Sequence, residues 1–238
     1  MKENNNIQNL QKLWDNDDEL FSLVRKELYT AVVGDIMDKL GLFNQFLPPQ
    51  ITPLNESSFI VGRAMTVLEA DVNSISSSFN PILNKPFGLM LEALDDLKKN
   101  EIYICTGSSH DYALWGELMS VRAQKLGAAG AVVDGYSRDT IGIRNINFPV
   151  FSYGRYAQDQ APRGKVIDYR VPIKIRAVNI NPGDIVLGDI DGVCIVPKEV
   201  EEQVFSLAIE KARGEKMVMK KIEEGMSARE AFETYGIM

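Results

Sequence analysis

Glu101-Ile-Tyr-Ile-Cys-Thr106, Trp115-Gly-Glu-Leu-Met-Ser-Val-Arg-Ala-Gln-Lys-Leu126 and Ala131-Val-Val133 follow one another in the middle of the chain. The outer two are short apolar runs with β-branched residues and read as buried strands. The longer stretch between them reads as a helix. Strand, helix and strand in alternation are the mark of an α/β fold.

Toward the N-terminus, Leu20, Phe21, Val24 and Leu28 recur at helical spacing behind Asp17, Asp18 and Glu19, acids suited to a first turn. Thr30 is placed to cap a second helix running through Asp35 to Leu40, with Gly41 to end it. Pro48-Pro49 and Pro53 mark a loop, and Phe59 to Leu68 reads as a strand interrupted at Gly62. The serine-bearing run Asn73 to Asn80 reads as a connection, and Gly88 to Lys98 as a helix. Residues 165–196 read as short strands broken by Pro172, Pro182-Gly183-Asp184 and Asp189-Ile-Asp191-Gly192. Helix dominates from Lys198 to Glu224, and Ser227 with Glu230 forms a capping box for a last short helix. There is no internal repeat and no linker that would separate domains, so residues 1–238 are expected to form one compact unit.

Composition narrows the function classes. A hydrophobic fraction of 45% and a charged fraction of 25% fit a globular protein with a substantial core. The net charge of -7 argues against general nucleic-acid binding, which needs clustered Lys and Arg. It leaves room for a small anionic substrate, because one arginine and a metal ion can override the global field. Cys105 and Cys194 each lie inside an apolar run and read as buried thiols of a reducing compartment. No apolar run is long enough to span a membrane, and Met1-Lys-Glu-Asn-Asn-Asn lacks a signal-peptide core. The expected location is the cytoplasm.

Two stretches carry the chemistry. In Trp115-Gly116-Glu117-Leu118-Met119, a helix starting here leaves the amides of Glu117, Leu118 and Met119 without intrahelical partners, a ready anion site. A glycine chosen only for a tight turn explains Gly116 equally well in isolation. In Asp134-Gly135-Tyr136-Ser137-Arg138-Asp139, the chain leaves a buried strand, where α/β proteins often place ligands. Arg138 offers a planar fork of donors for a carboxylate, and Asp139 hard oxygens for Mg²⁺ or Mn²⁺. A local ion pair with a helix cap is the plainer account of an isolated Arg-Asp. Asp189 and Asp191 read as solvated turn carboxylates, and one histidine, His110, supports no His-rich metal site. Gly-x-Gly-x-x-Gly, P-loop and Gly-x-Ser-x-Gly patterns are absent. The lysines lie mostly in polar segments, which disfavours Schiff-base chemistry.

Glu117, twenty intervening residues, then Arg138-Asp139 resembles the signature of the 4-hydroxy-4-methyl-2-oxoglutarate aldolase family, which also contains regulators of ribonuclease E activity. The resemblance runs from Thr30-Ala-Val-Val-Gly-Asp35 through Pro182-Gly-Asp-Ile-Val-Leu-Gly-Asp-Ile-Asp-Gly-Val-Cys-Ile-Val-Pro197 to the C-terminal helix. It implies that Glu117 and Asp139 hold a divalent metal, partly through waters, and that Arg138 binds substrate. The amides near Gly116, Leu118 and Met119 would receive the substrate carboxylate. Glu117 stands where the aldolases usually carry Asp, one methylene shorter. Glu215 lies near where family members supply an acid from a neighbouring subunit, although a solvated helix face accounts for it as well.

The expected fold is therefore α/β: an αββα-type sandwich with a central β-barrel-like sheet core and helical ends at 1–29 and 198–238. The resemblance implies a Mg²⁺- or Mn²⁺-dependent lyase that cleaves a 4-hydroxy-2-oxo acid to pyruvate, with oxaloacetate decarboxylation alongside. It implies homotrimers or paired trimers with sites at subunit borders. A non-catalytic ribonuclease inhibitor, or another lyase or hydratase on the same site, are the rivals. Neither nucleic acid nor membrane is an expected partner.

Overall fold

The computed structural model describes residues 13–72 and 85–237; the run Asn73 to Asn80 lies outside them. Two helices lead, α1 (Asp17–Glu27) and α2 (Thr30–Lys39), followed by β1 (Thr52–Pro53) and β2 (Ile60–Asp71). The middle comprises α3 (Met90–Asp95), β3 (Glu101–Thr106), β4 (Ala113–Trp115), α4 (Glu117–Lys125) and β5 (Gly130–Val133). Next come β6 (Tyr136–Ser137), α5 (Thr140–Asn145), β7 (Val150–Ser152) and β8 (Gly164–Tyr169). The chain closes with β9 (Ile173–Ile175), β10 (Val178–Ile180), β11 (Ile185–Asp189), β12 (Gly192–Val196), α6 (Glu201–Glu223) and α7 (Ala228–Tyr235).

One sheet organises these elements in the order β1-β7-β5-β3-β2-β11-β12, with β8 also paired to β2. β2, β3, β5 and β7 run parallel, as the strand–helix alternation predicts, and β11 and β12 join as an antiparallel hairpin. The sheet nearly closes on itself. Residues 45–47 line the free edge of β12, through Leu47 N–H to Val193 O and Ile195 N–H to Gln45 O, both 2.9 Å. Across the Pro48-Pro49 loop, β1 pairs with β7 at the opposite edge.

Side-chain alternation sorts the core into layers. Ile60, Ala64, Ile102, Ile104, Val132, Val186 and Ile195 point inward and pack with the β9–β10 hairpin. Their neighbours point outward. Val61, Ile185, Leu187, Cys194 and Val196 pack under α1, α2 and α6. Met65, Val67, Tyr103, Cys105, Ala131 and Val133 pack under the helices on the other side. Helix, sheet, sheet and helix therefore stack around a barrel-like centre, the αββα arrangement expected.

Local details depart from the sequence reading. β2 runs through Gly62 unbroken; the glycine is required because a Cβ there would strike the carbonyl of Asn100. Tyr29, not Thr30, caps α2. Thr30 instead gives its amide (2.8 Å) and hydroxyl (2.7 Å) to the carboxylate of Asp189, which also accepts from Asp191 N–H at 2.9 Å. Asp189 is thus buried and bonded, not a solvated turn acid. Lys165 is buried on β8 with its ammonium on the carbonyls of Pro86 and Ala161, so one lysine does lie inside a strand. Burial pulls its pKa down. Among the described residues no helix is long and apolar enough to cross a membrane.

Candidate functional site

A two-stranded parallel pair explains why Glu117 and Arg138-Asp139 meet. β4 lies beside β6, with Arg138 N–H donating to Trp115 O at 2.9 Å, so the residues that follow both strands emerge together. After β4 comes α4, which begins at Glu117 with Gly116 as its extended N-cap. The helix therefore starts two residues later than the sequence pattern indicates. Its first turn is held by Ser120, whose N–H (3.1 Å) and Oγ (3.0 Å) both donate to Gly116 O. Trp115 Nε1 donates to Ser120 Oγ at 2.7 Å and fixes the buried indole below.

Asp139 is the N-cap of α5, yet its side chain makes no cap bond there. Its backbone is left-handed, with φ 57, a conformation that costs a non-glycine residue energy. The carboxylate turns away from α5 toward α4, where Oδ2 accepts from Glu117 N–H at 3.3 Å. One of the first-turn amides, that of Glu117, is thus already engaged by Asp139. Gly116 makes this approach possible, because a Cβ there would sit 2.8 Å from Asp139 Oδ2.

Arg138 lies alongside, its Nε 3.8 Å from Asp139 Oδ2 and its Nη1 2.9 Å from Asp159 Oδ1. Asp159 is a cleft residue that the sequence does not mark. It comes from the loop before β8, and no local pattern marks it. Gln160, next to it, donates to Glu69 Oε2 at 2.5 Å. Glu69 is buried, and that burial pushes its carboxyl pKa up to about 8.

Arg138, Asp139, Gly116, Leu118, Met119, Asp159 and Gln160 all border one cleft of about 400 Å³, whose floor includes Trp115. A second, more polar cleft of about 340 Å³ opens on the other side of Arg138 and Asp139, bordered by Thr140, Arg155 and Tyr156. Glu117 stands between α4 and α5 with its carboxylate directly over Gly142, where a methyl group would collide with it. It does not border the larger cleft.

Other candidates lie elsewhere. Asp134 accepts from Thr106 Oγ1 (2.6 Å) and Tyr153 Oη (2.7 Å), and His110 packs edge-on against Tyr153. Glu215, on α6, accepts from Tyr29 Oη and pairs with Lys211 at 2.9 Å. The tyrosine hydroxyl is pushed up to about 12, first by burial and then by Glu215.

Among the described residues no group of three or more His, Cys, Asp or Glu side chains is placed to hold a metal ion. The donors at the cleft suit a narrower class of ion. Asp139 is about half exposed, with hard oxygens and open space before it. One or two carboxylates, with water and substrate completing the shell, is the usual protein contribution to Mg²⁺ binding.

Comparison with known proteins identifies the family. The family model described as "RraA-like: Aldolase/RraA" matches residues 30–195. A "Putative 4-hydroxy-4-methyl-2-oxoglutarate aldolase" of Halalkalibacterium halodurans is 30% identical over 204 residues, covering 85% of this chain and 89% of the relative. "Protein DlpA" of Legionella pneumophila is 28% identical over 207 residues, covering 87% of this chain, which spans only 32% of that longer protein. A crystal structure described as one of novel cellulases from gut-associated microbes superposes with a TM-score of 0.77 at 34% identity, covering 87% of this chain and 90% of the other. The chain belongs to the RraA-like family of aldolases and RraA proteins.

Proposed function

We propose that this protein is a divalent-metal-dependent carbon–carbon lyase that splits a 4-hydroxy-2-oxo acid into pyruvate and a carbonyl product. The observation that carries the reading is the convergence of Arg138, Asp139 and the first turn of α4 on one cleft. The name given to the H. halodurans relative points the same way.

The substrate carboxylate would lie against the free amides of Leu118 and Met119, where the helix dipole adds to their pull. Arg138, oriented by Asp159, would face the 2-oxo end with two parallel donors. Asp139 would hold Mg²⁺ or Mn²⁺, with Glu117 assisting through water. Such an ion supplies positive charge next to the 2-oxo oxygen.

Cleavage breaks the C3–C4 bond. The 4-hydroxyl gives its proton to a water in the cleft and becomes the product carbonyl, while the bonding electrons pass to C3 and the 2-oxo oxygen. Arg138 would stabilise that developing charge. C3 then takes a proton and pyruvate leaves. The same path for electrons serves loss of CO₂ from oxaloacetate, the expected side activity. The test is incubation with a panel of 4-hydroxy-2-oxo acids and Mg²⁺. Equal amounts of pyruvate and carbonyl product are expected; absence of pyruvate from every member would reject the lyase.

A further inference from the structure

The larger cleft has a half that the proposed chemistry leaves unused. Beyond Arg138 and Asp139 its walls are Phe87, Met90, Leu91, Leu94, Leu118 and Met119. Met90 and Leu94 form a buried base, whereas Leu91 and Leu118 stand exposed at the rim. This half is mostly hydrocarbon, with the Arg122–Asp95 ion pair at its border between α3 and α4.

Charge along the cleft points to the same chemistry. Its border holds two arginines, Arg122 and Arg138, against three aspartates, Asp95, Asp139 and Asp159. Arg122 Nε is paired with Asp95 at 2.7 Å and Arg138 Nη1 with Asp159 at 2.9 Å. Among the described residues, then, each cation bordering this cleft already has an acid. Residues 73–84 contain no Lys or Arg that could add one. A second substrate carboxylate placed here would meet three aspartates and would have to compete with Asp95 for Arg122, which is costly.

Resting on the lyase reading, we propose that this half of the cleft receives an apolar substituent on C4. The substrates are then 4-hydroxy-2-oxo acids with a single carboxylate and a hydrocarbon tail. The head sits at Arg138 and the start of α4, and the tail lies between α3 and α4. Leu91 and Leu118 close over its end.

Calorimetric titration with three non-cleavable 2-oxo acids, in Mg²⁺, tests this. Pyruvate carries the head alone, 2-oxohexanoate adds a hydrocarbon tail, and 2-oxoadipate ends a tail of similar length in a carboxylate. The proposal expects 2-oxohexanoate to bind at least about tenfold more tightly than 2-oxoadipate, the scale on which apolar pockets discriminate. Leu91→Lys, at an exposed rim position, should reduce that ratio by about tenfold while leaving pyruvate affinity and molecular mass unchanged.

Equal or tighter binding of 2-oxoadipate, with pyruvate still bound, overturns the apolar tail but leaves the lyase reading standing. If Arg155→Ala then removes the 2-oxoadipate affinity, the tail occupies the polar cleft instead. Failure of all three acids to bind overturns both readings. A Leu91→Lys protein with altered mass and an unaltered ratio makes Leu91 a subunit contact, and also overturns the proposal.

Discussion

Arg138 lies between two acids at the edge of the larger cleft. Its fork is held by Asp159 on one side and lies near Asp139 on the other. Arg138→Lys keeps the charge but loses the planar pair of donors. The expected loss in kcat/KM exceeds about tenfold, which corresponds to more than about 1.4 kcal/mol of transition-state stabilisation. Near-normal turnover in steady-state assays would reduce Arg138 to a structural partner of Asp159. Glu117 allows a cleaner separation of fold from function. Gly142→Ala forces the Glu117 carboxylate off its seat, yet the colliding atoms are the far end of a flexible side chain. Alanine also favours a helix over glycine by up to about 1 kcal/mol. Thermal stability should therefore hold or rise while turnover falls. Unchanged turnover would show that Glu117 is not needed where it sits.

At the scale of elements, much was legible because the signals were local. The first-turn acids and apolar spacing of α1 predict a helix that the structure has. The buried runs of β3 and β5, with α4 between them, predict the parallel centre of the sheet. What escaped depends on distant partners. Thr30 and Asp189 look like a cap and a turn acid until folding brings them together. Asp159 and the burial of Lys165 depend on how the loop before β8 returns to the cleft. Gly62 reads as a break, because the approaching carbonyl of Asn100 cannot be seen in sequence.

Glu69, another residue marked by its setting alone, makes a prediction about stability and pH. Its carboxyl has an ordinary value of 4.5 when exposed and about 8 in the folded protein, raised chiefly by burial. Below that window both states hold the proton, and Glu69 adds no pH dependence. As pH rises through it, the unfolded chain ionises first, so the folded state loses stability. Glu69→Gln removes the titration. Melting temperatures of the two proteins should diverge as pH rises from 5 toward 8, with the glutamine form gaining relative to the parent. Parallel melting curves would place Glu69 in a less buried setting than the structure shows.

Across the whole molecule, the open question is how chains associate. Val204 and Ala208 on α6 are buried in the chain's own core, with Val200 and Leu207 packed against them. Further along, Met217, Met219 and Ile222 remain exposed, as does Phe232 on α7. A trimer or hexamer by light scattering is the outcome expected from the resemblance. If Glu215 serves a neighbouring site, mixed Glu215→Ala and Arg138→Ala chains should recover part of the activity that each lacks. A fully active monomer would remove any shared site.

On the proposed reading, a divalent ion and Asp139 act together in pyruvate release. The most direct measurement follows pyruvate from one cleaved 4-hydroxy-2-oxo acid through removal of metal by a chelator and its return as Mg²⁺ or Mn²⁺. Turnover should stop on chelation and return with either ion, and Asp139→Ala protein, folded by its melting curve, should stay inactive throughout. Full turnover after exhaustive chelation, or an active Asp139→Ala protein, would contradict it.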